Sequence, residues 1–369
     1  MEIPLLDLKR VSARIREEFF KEWARVLEGM KLLGGDNLKA FEEEIAQWMG
    51  CRYAFGVASG SDALLLGLVA CGIGPGDEVI THANAFMAAV EAIKWVGAKP
   101  VLVDMKEEDF GPDPEQIPGR ITSRTKALLV VHMYGHPVDL DPLMEIKERY
   151  GLKLIEDCSH AHGAEYKGRK VGTFGDVGCF SCGVVKNLGA FGDAGFCTTD
   201  DPEVASRIDL LRVHGQKVKN QHLLYGFNSR LDELQAVVLR IRLRTLEEEN
   251  ERRREIARRY TEAFSALDGL LPPPEFPDRK SVYHRYVVRT PRRSELMEFL
   301  RAQGIGVGIQ YPQPLHLQDA WQKEGFGRYH LPVSERVCSE VLSLPIYPEL
   351  REEEVSYVIE KVTGFFRDR

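Results

Sequence analysis

The sequence contains no apolar run approaching the roughly 18 residues that cross a bilayer, and its longest, around Ala63–Ala70, is interrupted by glycine. The first ten residues, MEIPLLDLKR, mix acidic and basic side chains and lack the uninterrupted apolar core of a signal peptide. Basic charge is also short. Lys and Arg number 49 against 56 Asp and Glu, a net charge of -7, which argues against nucleic acid or an anionic membrane as principal partner. No disulfide framework is evident: the seven cysteines (Cys51, Cys71, Cys158, Cys179, Cys182, Cys197 and Cys338) are odd in number and irregularly spaced, as suits a reducing compartment. Cys179 and Cys182 make a Cys-x-x-Cys within the apolar stretch GDVGCFSCGVV. With no second pair to complete a tetrahedral set, small buried side chains are favoured there over a redox or zinc site, and no metal is expected. These absences describe a cytoplasmic protein without a membrane segment.

What is present suits a multidomain protein. The 369 residues, 44% hydrophobic, suffice for two or three domains with their own cores. From Gly56 to Thr199, short apolar runs (Glu78–Thr81, Lys99–Asp104, Ala127–His132, Leu152–Glu156, Val177–Ser181, Gly195–Thr199) alternate with helix-like stretches such as Ala85–Val96 and Pro142–Tyr150. That alternation predicts an α/β fold with a mostly parallel sheet flanked by helices. Arg230–Phe264 reads as one or two long helices whose charge-dense part, LEEENERRREIARRY, places Glu and Arg on a solvated face. The proline cluster Leu271–Pro277 follows. Beyond it lie a strand-like run, Tyr283–Arg289, a helix-like run, Arg293–Gln303, and a terminal helix near Glu352–Phe365. The expected division is a large unit over 12–250 and a smaller α+β unit over 251–369, with residues 1–11 packing alongside the latter.

Three segments carry chemistry. In SCGVVKNLGAFGDAGF, Lys186 stands alone among small and apolar residues ahead of a glycine-rich turn. A desolvated amine with a depressed pKa can attack a carbonyl near neutral pH, although a surface lysine opening a loop explains this segment equally well. In LKLIEDCSHAH, an apolar strand ends at Asp157, with His160 three residues on. Ligands of open α/β sheets bind beyond the carboxyl ends of strands, where a carboxylate can keep a pyridinium nitrogen protonated. Capping of the next helix is the plainer role for Asp157. In Ser59-Gly60-Ser61-Asp62, small residues precede an Ala/Leu-rich helix and could leave free N–H groups for a phosphate, or simply cap that helix. The segment is neither a P-loop nor a GxGxxG fingerprint.

Taken together, these segments resemble the DegT/DnrJ/EryC1/StrS family of pyridoxal-phosphate-dependent aminotransferases acting on nucleotide-linked keto-sugars, with the aspartate aminotransferase (fold type I) architecture. The resemblance runs from IPLLDLKR at residue 3 to LPIYP at residue 344, through SGSDALLLGL, THANAFMAA, VHMYGHPVD, IEDCSHAHGA, SxxxxKNLGAFGDAG, GFNSRLDELQA and QYPQPLH. It implies that Lys186 carries pyridoxal 5'-phosphate as an internal aldimine and moves the proton. Asp157 would pair with the pyridine nitrogen, His160 would neighbour the ring hydroxyl, and Phe86 would stack on the ring. Gly60, Ser61 and Ser181 would hold the phosphate. Asn228 would reach the phosphate of the neighbouring subunit's cofactor, so a complete site would need a homodimer. Tyr311 and His316, in the motif that closes the sugar pocket, are the expected substrate residues.

The implied reaction is ping-pong. Glutamate or glutamine donates the amino group, and the ketone of a nucleotide-diphosphate sugar receives it in amino-sugar or polysaccharide biosynthesis. General similarity leans to C3 of a 6-deoxy sugar, and a cyclitol ketone is a further acceptor to test. The rivals are a pyridoxal-phosphate dehydratase or lyase, and a regulatory protein of the same fold. Lys186 disfavours the first, since relatives that dehydrate replace it with histidine, and the absence of a basic recognition helix disfavours the second. One departure stands out: the closing motif commonly begins His-Tyr-Pro, whereas this chain has Gln310-Tyr311-Pro312.

Overall fold

The computed structural model describes residues 1–367. Seven short strands form one sheet in the order Tyr53–Val57, Gly195–Thr199, Val177–Ser181, Lys153–Asp157, Thr125–Val131, Glu78–His82, Lys99–Val103. The last five pair in parallel, and the two at the first edge pair antiparallel. The expected mostly parallel sheet is therefore present, with an antiparallel edge. Its strands are apolar almost without alternation because both faces are covered; Glu78–His82 is buried at every position.

Helix Gly60–Ala70 is buried nearly all round, with Ala63, Leu64, Leu66, Gly67, Leu68 and Ala70 inside. A helix without a polar stripe can only sit between layers, and this one lies against the sheet and two further helices, Ala88–Trp95 and Pro202–Leu211. Helix Asp141–Tyr150 begins with Pro142 in its first turn and stops at Gly151, whose φ of 63° is the left-handed conformation that glycine adopts without strain.

A second core gathers Tyr260, Phe264, Leu296, Leu300, Leu344, Val355 and Val358 around the antiparallel pair Tyr286–Arg289 and Val341–Leu344. Ile3 belongs to it, accepting from Gly306 N–H and donating to Gly304 C=O, so the first residues pack against the C-terminal third. The long helical region is two helices, Glu233–Leu243 and Leu246–Phe264. The expectation of a solvated face holds for Glu251, Glu255 and Arg258, which are exposed, but fails for Glu249, Asn250 and Arg253, which are buried. Arg253 donates to the Ile346 carbonyl at 2.8 Å, so this helix is tied into the second core rather than merely spanning solvent.

Candidate active site

The carboxyl ends of neighbouring parallel strands meet in a cleft of about 420 Å³. Asp157 ends one strand, Ser181 another and Val131 a third, and all three line it with Lys186. Gly60, Ser61, Phe86 and His160 complete the part drawn from the first 200 residues, while His284, Arg285, Gln310 and Tyr311 close it from the C-terminal third. Eight of the ten residues singled out from sequence thus come together. Asn228 and His316 do not line this cleft. Asn228 is exposed and accepts from Arg230 Nε at 3.1 Å. His316 is buried and bonded through Nε2 to Glu335 at 3.1 Å.

The Lys186 amine is pushed down to about 8, first by burial, with the Arg285 charge acting the same way and Asp157 opposing. Asp157 is buried and held by the Ser159 N–H at 3.0 Å, yet no cation forms an ion pair with it among the described residues. Burial pushes its carboxyl up, against the Ser159 hydrogen bonds and the Lys186 charge. On the strand residue just before it, Glu156 accepts from Gly172, Phe174 and Gly175 N–H groups and bonds His132 at 3.1 Å, which fixes the strand end.

His160 Nδ1 accepts from the Tyr134 N–H at 3.3 Å. Its pKa lies well below the ordinary value, first through burial and then through the Lys186 and Arg285 charges. The ring is therefore neutral with its proton on Nε2. Phe86 is 55% exposed at the mouth, 5.6 Å from the Tyr311 ring. Gln310 turns its side chain away, accepting from Ser343 Oγ, while its carbonyl accepts from Tyr134 OH.

These residues fit pyridoxal phosphate. At Gly60, the first residue of its helix, an added Cβ would lie 2.4 Å from Ser181 Cβ, so backbone, Ser61 and Ser181 converge closely where a phosphate meets the helix N-terminus. Asp157 is a buried acid lacking a cation, Phe86 offers an uncovered ring face, and Lys186 is a desolvated amine. A wider groove of about 670 Å³ lies elsewhere, but its Arg254, Arg279 and Lys280 are already paired with carboxylates.

Fold and cleft define a pyridoxal-phosphate-dependent transferase of fold type I. Residues 13–363 match the model of the DegT/DnrJ/EryC1/StrS aminotransferase family, and the chain belongs to that family. It is 45% identical over 98% of its length, and 99% of the relative's, to a dTDP-3-amino-3,6-dideoxy-alpha-D-galactopyranose transaminase of Aneurinibacillus thermoaerophilus. It is 44% identical over 98% of its length, and 95% of the relative's, to a dTDP-3-amino-3,4,6-trideoxy-alpha-D-glucose transaminase of Streptomyces venezuelae. A pleiotropic regulatory protein of Geobacillus stearothermophilus is 40% identical over 100% of this chain and 99% of its own. Among solved structures, S. venezuelae DesV in complex with a ketimine intermediate superposes with a TM-score of 0.97 at 43% identity, covering 99% of each chain. NtdA of Bacillus subtilis with bound cofactor PMP gives 0.93 at 31% identity, covering 99% of this chain and 85% of that one.

His284 and Arg285 were not legible as site residues in SVYHRYVVR. The only signal is a pair of ionisable side chains opening an otherwise apolar strand.

Proposed function

We propose that this chain transfers an amino group from glutamate or glutamine to the ketone of a nucleotide-diphosphate-linked sugar, using pyridoxal phosphate. The observation that carries this reading is the desolvated Lys186 amine facing buried Asp157 in one cleft of a family aminotransferase. Bound pyridoxal phosphate supplies an electron sink for the bond being broken. Lys186 takes a proton from the substrate carbon in one half of the reaction and returns it in the other; an amine near 8 can do both at neutral pH. Asp157 holds the ring nitrogen protonated, His160 offers its Nε2–H to the ring hydroxyl, and Phe86 covers one ring face. Gly60, Ser61 and Ser181 hold the phosphate, and Tyr311 contacts the sugar.

The same reading places two copies in the functional unit, with Asn228 of one reaching the phosphate of the other. Its support is Asn228's exposure beside an apolar strip that includes Leu223, Tyr225 and Phe227, with Val184 and Val185 exposed next to Lys186. His316, buried and bonded to Glu335, is read as holding the segment that follows Tyr311 rather than as touching the sugar. The division into a cofactor unit over 12–250 and a smaller unit over 251–369 cuts helix Leu246–Phe264, whose first residue joins the sheet core and whose later turns join the second core. Seven free cysteines support a cytoplasmic location, and no described helix is long and apolar enough to cross a membrane. The acceptor carbon is C3, as the names of the two transaminase relatives suggest.

Incubating the loaded protein with glutamate and a panel of 3-keto and 4-keto sugar nucleotides, followed by mass spectrometry, tests this. A 3-amino sugar nucleotide is expected; a dehydrated product without nitrogen would contradict it.

A further inference from the structure

Arg285 is 8% exposed and lines the cleft, yet no carboxylate pairs with it among the described residues. Its Nη1 donates to the His284 carbonyl at 3.3 Å, and its buried Nε has no partner among the described residues. Burying a guanidinium without a counter-ion is costly, so such a group is retained where an anion arrives to complete it. The backbone fixes where it stands: Arg285 N–H donates to the Tyr134 carbonyl at 3.1 Å, one residue before strand Tyr286–Arg289. The Arg285 charge is felt at Lys186, His160, His284 and Tyr311, the groups that surround the reacting centre. Tyr311 OH also has no internal hydrogen-bond partner among the described residues, and burial raises it to about 12, so it stays protonated as a second donor. Of the other ionisable groups lining the cleft, Asp157 and Asp193 are carboxyl groups, which do not attract an anion, and Lys186 is the amine that reacts.

The two substrates of a ping-pong transfer carry negative charge at different distances from the reacting atom. An amino acid bears its carboxylate on the carbon that holds the amine. A sugar nucleotide bears its diphosphate beyond C1, at least two ring carbons from a C3 or C4 ketone. A guanidinium close to Lys186 matches the first arrangement.

We propose that Arg285, assisted by Tyr311, binds the α-carboxylate of the amino donor and so aims the donor's amine at the atom held by Lys186. This rests on the aminotransferase reading and deepens it. Arg285 is a donor-specificity residue, and its planar fork suits a carboxylate where a lysine would not.

The test compares L-glutamate with its α-amide, isoglutamine, in the first half-reaction of the loaded full-length protein. The change in cofactor visible absorbance is followed after rapid mixing. The unsubstituted protein should half-saturate with glutamate at a concentration on the order of 10- to 100-fold below that for isoglutamine. In Arg285→Gln that ratio should collapse to within about threefold, with Arg285→Lys intermediate. A merely structural lesion would weaken both donors alike and leave the ratio standing. Calorimetry with glutarate, which cannot react, should show a parallel loss of affinity in Arg285→Gln. An unchanged ratio and unchanged glutarate binding in Arg285→Gln, or no discrimination by the unsubstituted protein, would overturn the proposal. If the unsubstituted protein takes an amino group from neither donor, the aminotransferase reading fails first and the role of Arg285 falls with it.

Discussion

His160 and His284 stack face to face, ring centroids 4.4 Å apart and planes 25° from parallel, with opposite tautomers. His160 accepts at Nδ1 from a backbone N–H. The Asn187 amide donates to Asn250 and to the Val282 carbonyl, so its Oδ1 must accept from His284 Nδ1–H at 3.1 Å. The residue next to Lys186 thus orients the imidazole that supports His160. Both rings are held neutral chiefly by burial, which their mutual stacking requires, since two imidazoliums at this distance would repel.

A pH dependence of stability follows. The folded pKa of each ring lies below its ordinary 6.5, so the unfolded chain binds more protons under acid conditions. The stability these rings contribute is complete above pH 6.5 and is lost as pH falls below it. Together they should add up to about 2.7 kcal/mol per pH unit to the slope of unfolding free energy in mildly acid solution. Urea melts of the cofactor-free protein at a series of pH values check this, and His284→Phe should remove about half of what these two rings contribute, leaving the share of the other buried histidines, His82, His136 and His162, in place.

At the end of the cleft proposed to hold the phosphate, Gly60→Ala would bring a methyl group to 2.4 Å from Ser181 Cβ and 2.8 Å from its Cα. Backbone cannot yield cheaply there. A stability loss of about 1–3 kcal/mol is expected, along with at least about tenfold weaker pyridoxal phosphate binding as Ser181 and the helix N-terminus are pushed apart. Denaturant melts and equilibrium dialysis measure the two effects.

Far from the cleft, the fully buried Glu354 accepts twice from Arg10 at 2.7 Å and ties the first helix to the last. The Arg10 hydrogen bond is the main cause holding its carboxyl at about 2, against the ordinary 4.5. Its folded pKa is depressed, so its contribution is present above pH 4.5 and lost as pH falls towards 2. Since Arg10 is partly solvent-screened, Glu354→Gln should cost about 2 kcal/mol at pH 7. The gap to the unsubstituted protein should narrow below pH 4.5 and close near pH 2, as read by denaturant melts.

The lysine's own titration gives a kinetic signature. Burial lowers the Lys186 amine to about 8, so the reactive neutral form dominates above that pH. Uptake of pyridoxal phosphate by the cofactor-free protein should therefore accelerate with pH through a midpoint near 8, not near 10.5. Rapid-mixing absorbance at several pH values decides between the two.

Much of this was legible in the chain. Strand ends marked by Asp157 and Ser181 could be read because parallel strands are continuous apolar runs and their carboxyl ends face ligands. Lys186 could be read because lysine is conspicuous among glycine and valine. Helix Leu8–Gly29 was not read, because it buries only Ile15, Phe19 and Val26, a stripe too thin to stand out among its charges. Arg285 was hidden for a different reason. In sequence it is one arginine at the head of a strand, and only the fold withholds its counter-ion. Arg253 and Glu249 were misread as solvated because helical spacing alone does not say which face a neighbouring core will cover.

The central claim is that one amine, that of Lys186, holds the cofactor covalently. Borohydride reduction of the pyridoxal-phosphate-loaded protein, followed by proteolysis and mass spectrometry, reads this directly. A single phosphopyridoxyl group is expected on the peptide carrying Lys186, absent from Lys186→Ala, which should keep its fold and lose its visible absorbance. A stable label on any other lysine, or none at all, would contradict it.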